Sequence, residues 1–535
     1  MTETPQPRLG VQGPVVAWQD PWAGDASDAI MRTGTGIPIA SQDGWVPPEA
    51  FLGLLKELGA DFYLHHVMPD LEGQQQLVDD VRDAGLEVVL GNEYGNVNGP
   101  YVPGTNRYDV PDRALSGAAD VLAGVLYDEP EHLQINAAQY RKDDYLPHFG
   151  STGGLDSAAA TEHLVKVIAD RVRKIQSVTG TATPVLAEHV FPVMFHTFAR
   201  AGMTPCPKVM KESFQPLQLA TALGAALQYG RELWICADLW GPDIGPWFTR
   251  APGFPGHSPR EYSAALSMAY AFGPTRLFTE AVDVLARYDG RGFRRTEFGE
   301  VWHEFTSRYV RDHPLRWTFR DARPSTVLIH AEDSNFGRGV RPFGDRDRSA
   351  DERSDSIFHA WHLLSHGSIP RHGTCMHIEG FESPRARLND VPRSQFPLTA
   401  AVPEPTTAHP LFHSLHNTVV YDETVGADRL GEPELIVVAG SRLPEDTLRL
   451  VRQRAETGAT VVVPDWLTSR EWTRSERVGA GRWIVTDQLD SENVADTVSP
   501  LLGQPGIWTQ RFASTELRFT RAADDPTALD LEIIN

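Results

Sequence analysis

Apolar residues along this chain fall into short runs that end in acids, separated by longer stretches with helical spacing. The sharpest is Val125-Leu126-Tyr127, which stops at Asp128 and Glu129, with Pro130 barring further pairing. The same pattern predicts strands at Asp61–His66, Glu87–Tyr94, Pro184–Glu188, Lys208–Glu212, Glu232–Asp238 and Thr275–Glu280. Near the start, Val15–Trp18 is cut short by Gln19, Asp20 and Pro21, so the opening strand is expected at Ile37–Ala40.

Between these runs, Glu49–Leu58 has helical spacing and Gly59 as its stop, and Glu72–Ala84 carries Leu77, Val78 and Val81 before Gly85. Leu155–Val178 repeats apolar residues at Leu164, Ile168, Val172 and Ile175, and Gln215–Tyr229 and Pro259–Phe272 complete the set. Strands beginning near residues 37, 61, 87, 123, 184, 208, 232 and 275 alternate with these helices. That order predicts an α/β fold, a (β/α)8 TIM barrel over residues 10–320. Its weakest helix falls between Glu188 and Lys208, and the stretch His132–Gly154 is expected to be irregular.

After the barrel the pattern changes. Arg323–His330 predicts a new strand, and a helix is expected near Ser356–Ser365. Glu434–Ala439, a helix opened by Pro444 and Glu445 and closed by Gly458, and Thr460–Pro464 make a β-α-β unit. A smaller α/β domain is therefore expected at 321–485. Alternation in Thr515–Thr520 and Ala528–Ile534 predicts a small β segment at 486–535.

Composition narrows the function. Of the 535 residues, 41% are hydrophobic and 22% charged, an ordinary globular balance. The net charge of -22 disfavours nucleic acid and anionic membranes as partners and suits a neutral substrate. No secretory signal or membrane-spanning run is visible, and Cys206, Cys236 and Cys375 form neither a disulfide framework nor a zinc pattern. A cytoplasmic protein is the simple expectation.

The strand ends supply the candidate chemistry. Asn92 and Glu93, Asp128 and Glu129, Glu188, Glu212, Asp238 and Glu280 come from different strands but converge on one barrel mouth. Glycosidic cleavage needs two carboxyls: one protonated, to donate to the leaving oxygen, and one ionised, to attack carbon or activate water. Crowded acids push some pKa values up, which keeps one protonated near neutrality. Glu129 is the expected general acid/base; Glu212 and Asp238 compete as its partner, with Glu188 behind them. Trp45, Tyr94, Tyr127, Trp240 and Trp247 offer flat faces for sugar rings, and His65, His66 and His189 could bind hydroxyls. Histidine spacing gives no metal signature and no glycine-rich loop suits a phosphate, so no metal and no cofactor are expected.

With Asp128 and Glu129 closing its fourth strand, the barrel resembles the large superfamily of retaining barrel glycosidases. In many members an asparagine precedes the acid/base glutamate, and the nucleophile follows the seventh strand. Here Asp128 stands for the asparagine, and the seventh strand ends in Asp238 in place of a glutamate. An inverting reaction or another nucleophile therefore stays open. The second domain, through Pro433–Ala439 and Ala455–Val463, is similar to the trimerisation domain of the family 42 β-galactosidases. That module is related to class I glutamine amidotransferases but lacks their activity, and it implies a homo-oligomer. The expected function is a glycoside hydrolase acting on a small carbohydrate. The alternatives are a metal-assisted TIM-barrel hydrolase or isomerase and a non-catalytic carbohydrate-binding protein.

Overall fold

In the computed structural model the described residues are 4–14, 18, 21–22, 46–67, 74–92, 109–135, 149–190, 192–210, 215–239, 258–332, 351–369, 371, 412–525 and 528–535. Eight parallel strands close a barrel: β1 (Arg8–Gln12), β2 (Phe62–His66), β3 (Glu87–Asn92), β4 (Leu122–Asp128), β5 (Val185–His189), β6 (Thr204–Val209), β7 (Trp234–Asp238) and β8 (Arg276–Glu280). β8 pairs back onto β1.

The first strand differs from the expectation. Ile37–Ala40 and Val15–Ala17 lie outside the described residues, and the barrel opens with Arg8–Gln12. That strand carries few branched residues. Gly10 is required because a Cβ there would lie 2.3 Å from the Phe62 ring, and the wholly buried Gln12 is polar. Neither reads as a strand residue. The sixth strand also shifts, from the expected Lys208–Glu212 to Thr204–Val209. Pro205 and Pro207 hide it, since proline lacks the ladder donor and signals a turn or edge. The stretch His132–Gly154, expected to be irregular, starts within a short helix, Pro130–Ile135.

Alternation along each strand sorts the side chains. Leu64, Leu186, Cys206, Cys236 and Phe278 belong to a buried cluster inside the barrel. Tyr63, Tyr127, Ala187 and Ala237 belong to the larger core outside it, under the helices. One pleat further along, six of the eight strands, β2 and β4 to β8, present an inward polar residue: His66, Asp128, Glu188, Lys208, Asp238 and Glu280.

Past the barrel, β9 (Ala286–Tyr288) and β10 (Phe293–Arg295) form a hairpin. A six-stranded sheet follows, built from β11 (Thr326–His330), β13 (Thr418–Asp422), β14 (Leu435–Ala439), β15 (Thr460–Pro464), β16 (Glu476–Val478) and β17 (Gly481–Thr486). Its order is β13-β11-β14-β15-β17-β16, parallel except for β16. Placing the second strand beside the first and the third on the other side is the doubly wound arrangement. A four-stranded sheet joins β12 (Leu415–His416) to β18 (Trp508–Phe512), β19 (Thr515–Arg521) and β20 (Leu529–Ile534). No helix among the described residues is long and apolar enough to cross a membrane.

Candidate active site

The inward strand ends meet around a residue that the strand pattern did not single out. Lys208 is 1% exposed on its side chain, and its Nζ lies 2.9 Å from Asp128 Oδ1 and 2.9 Å from Glu280 Oε2. Glu129 Oε1 is 3.4 Å away, and Glu188 and Asp238 are each 3.9 Å away. Five carboxyl groups from β4, its following turn, β5, β7 and β8 thus face one ammonium. Lys208 donates hydrogen bonds to Glu129 and Glu280. The alternation Cys206-x-Lys208 marks an inward lysine once the strand is moved two pleats earlier. With the strand placed at Lys208–Glu212, that lysine falls at the wrong end.

Of the expected site residues, Glu129, Asp128, Glu188, Asp238 and Glu280 are brought together. Glu129 sits just past β4 with a positive φ of 43°, and its N–H donates to Glu188 O. Trp45, Glu93, Tyr94, Glu212, Trp240 and Trp247 lie outside the described residues, as does the side chain of Asn92.

The histidines separate by pleat. His66 follows Leu64 on the inner face of β2, whereas His65 lies on the outer face, where its Nδ1 is 3.2 Å from the Tyr63 hydroxyl. His189 is also on the outer face. Its ring stacks on Phe195 at 3.9 Å, its Nδ1 donates to Ala187 O, and burial pulls its pKa down to about 4. His65 and His189 therefore face the helical layer, away from the acids. Tyr127 faces outward as well, its hydroxyl donating to Asp109 at 2.7 Å. Glu131 accepts the Val190 N–H at 2.6 Å and so fastens the turn after β5.

Electrostatics divide the cluster. Burial pushes the Glu188 carboxyl well above the usual glutamate range; Lys208 opposes this, and Asp128 and Glu280 add to it. Neither Glu188 oxygen has a hydrogen-bond partner among the described residues. Burial works against a charge on Lys208, but Asp128, Glu188, Glu280 and Glu129 outweigh it and hold the ammonium well above the ordinary lysine value. An amine so firmly protonated is a counter-ion, not a nucleophile. Glu188, Cys236 and Glu280 also bring potential ligand atoms within 4.8 Å of one another. At that corner Lys208 already supplies a positive charge, 2.9 Å from Glu280.

The fold and this rim define an α/β protein of barrel type with an acid-lined mouth and a doubly wound module behind it. No family model matches the sequence, and no curated protein matches it either. Among solved structures, the chain is similar to the β-galactosidase from Bacillus circulans sp. alkalophilus. The TM-score is 0.54 at 8% identity, over 97% of this chain and 93% of that one. The chain is also similar to the GH42 β-galactosidase Gan42B, with a TM-score of 0.48 at 10% identity over 88% and 89% of the two chains. For the exo-β-1,4-mannosidase from Opitutaceae bacterium strain TAV5 the TM-score is 0.47 at 12% identity, over 92% and 93%. The first of these likenesses establishes a shared fold across nearly the whole chain.

Proposed function

We propose that this protein is a glycoside hydrolase that cleaves a small neutral glycoside with a pair of barrel-mouth carboxyls. The observation that carries the reading is the meeting of Glu129 and Asp238, from the ends of β4 and β7, at one point in the mouth. Both oxygens contact the same Nζ, so their separation cannot exceed the sum of 3.4 and 3.9 Å. That limit admits the retaining spacing of about 5–5.5 Å and the short end of the inverting range of about 6.5–9.5 Å. In this reading Glu129 protonates the leaving oxygen, and Asp238 attacks the anomeric carbon or deprotonates a water. Closely spaced acids with one buried cation repel a phosphorylated or carboxylated sugar, which favours a neutral one. Fold likeness to a β-galactosidase over 97% of the chain supports the class without naming the sugar.

A second assignment of the acid has its own support. Burial shifts the Glu188 carboxyl well above its usual value, toward the protonated state a general acid requires. A panel of aryl glycosides separates the two. Glu129→Gln is expected to lower kcat/KM by roughly 10²–10⁴ with unchanged circular dichroism. An equal loss in Glu188→Gln with Glu129→Gln unaffected would move the acid to Glu188. Sugar binding without turnover would favour the carbohydrate-binding alternative, and chelator-sensitive turnover the metal-assisted one. We further infer a cytoplasmic homo-oligomer assembled through an amidotransferase-like module at about 321–485; light scattering tests its oligomeric state.

A further inference from the structure

We infer that Lys208 is a positioning residue of the barrel mouth: its ammonium is the hub that holds the carboxyls of β4, β5, β7 and β8 around one point and sets the spacing of the reactive pair. Its link to catalysis rests on the function proposed above; the hub itself does not.

Geometry carries the inference. β6 is hydrogen-bonded only to β5 and β7 within the barrel. Contacts to Asp128 and Glu129 on one side and to Glu280 on the other therefore reach past those neighbours, across the lumen. A lysine serving a single structural ion pair would contact one strand; this one contacts the ends of four. Two carboxylates left facing each other in a dry cavity would repel or share a proton. One interposed ammonium lets several stay close. Lysine suits this role because its compact charge can be shared in many directions, unlike the flat fork of arginine. Among the described residues, the charged and titratable groups that face it are Asp128, Glu129, Glu188, Asp238 and Glu280, with His66 at the end of β2 on the same inner rim. The Cys206 and Cys236 thiols lie alongside, kept neutral first by burial and then by Glu188.

The test uses the full chain with Lys208→Met, which keeps length and removes charge, and Lys208→Arg, which keeps charge and changes shape. Thermal unfolding is followed from pH 4 to pH 8. Without the ammonium, the acid cluster holds protons to higher pH in the folded chain than in the unfolded one. Stability must then fall as pH rises, so the Tm gap between Lys208→Met and wild type is expected to be small near pH 4 and to widen toward pH 8. A gap independent of pH overturns the inference, whether or not any glycoside is turned over. Failure of Lys208→Met to fold even at pH 4 also overturns it, because protonated carboxyls need no counter-charge. Where turnover is measured, the acidic limb of the kcat/KM profile is expected to rise by about 1–3 pH units in Lys208→Met. In Lys208→Arg the limb stays put while kcat falls. An unmoved limb in an active Lys208→Met separates the hub from catalysis and overturns the positioning role.

Discussion

Glu188 is the most exacting residue in the mouth, because its charge state is set by burial more than by any partner. It is 0% exposed, and its oxygens accept no hydrogen bond among the described residues. Its folded pKa therefore lies above its unfolded value, with burial as the first cause. The sign follows: the folded state binds more protons, so stability falls as pH rises from the unfolded value of about 4.3 through the folded one. Each pH unit in that window costs about 1.4 kcal/mol for a full proton difference. Glu188→Gln should remove this slope and leave the variant more stable than wild type at neutral pH, measured by denaturant titrations at several pH values. A variant that is less stable at pH 7 would mean the ionised carboxyl is needed by Lys208. At this scale the sequence was half legible. Acids at strand ends announce themselves, because a charge that closes an apolar run is conspicuous. The lysine among them does not, since its meaning depends on which way its pleat faces.

Elements show the same division. β4 and β7 are continuous apolar runs with an acid at the end, and a fully buried parallel strand leaves that trace; β5 and β8 leave it more weakly, with His189 after Glu188 and with Arg276 and Thr279 in the run. β1 and β6 leave none, because packing against Phe62 selects Gly10, and Pro205 and Pro207 stand where branched residues would announce a strand. Helices were legible where a stop residue marks the end: Gly59 and Gly85, each with φ 71°, follow Pro48–Glu57 and Gln74–Ala84. What no single element reveals is its outer contact. Gly224, within the helix Gln215–Tyr229, has no room for a side chain, since a Cβ there would lie 1.6 Å from Val420 O of β13. Backbone cannot step aside as a rotamer can. Gly224→Ala should therefore cost about 1–3 kcal/mol through overpacking. Gly53, in the helix Pro48–Glu57, meets nothing within 4 Å, and Gly53→Ala should gain about 0.5–1 kcal/mol. Opposite signs in urea titrations of the two variants would verify that the first glycine belongs to a helix-sheet contact; a stabilised Gly224→Ala would refute it.

In the whole molecule, the carboxyl ends of β11 and β13 in the six-stranded sheet lie against barrel helices. Doubly wound sheets commonly take ligands at the carboxyl edge; here these two strand ends take barrel helices. Asp422, ending β13, accepts from Gln228 at 2.6 Å and also pairs with the Tyr229 hydroxyl. Glu332, just past β11, accepts the N–H groups of His196 and Thr197 at 3.0 and 2.6 Å and the Thr197 hydroxyl at 2.7 Å. His196 Nδ1 lies 3.5 Å from Glu332, and its Nε2 donates to Val420 O at 3.0 Å. The helix so gripped, Phe195–Ala201, follows β5 directly, so the clasp lies a few residues beyond Glu188. Its partners sit over a hundred positions apart in sequence, which is why no local pattern hinted at it. Burial pushes Glu332 up, yet the His196 and Thr197 contacts bring it down to about 2; burial pushes His196 down, yet Glu332 raises it above its usual value. The Glu332 contribution is thus present above its unfolded value of about 4.3 and lost as pH falls toward 2. The His196 contribution is full below about 6.5 and lost as pH rises through its folded value. The clasp should be strongest between these limits. Glu332→Gln, which leaves the buried imidazolium without its counter-charge, should cost about 3–5 kcal/mol at pH 5.5 and much less near pH 2, where the wild-type carboxyl is itself protonated. Calorimetry at the two pH values checks this. An equal loss at both would reduce the clasp to shape alone, and a loss that also abolishes turnover in a folded variant would tie the grip on Phe195–Ala201 to the acids at the barrel mouth.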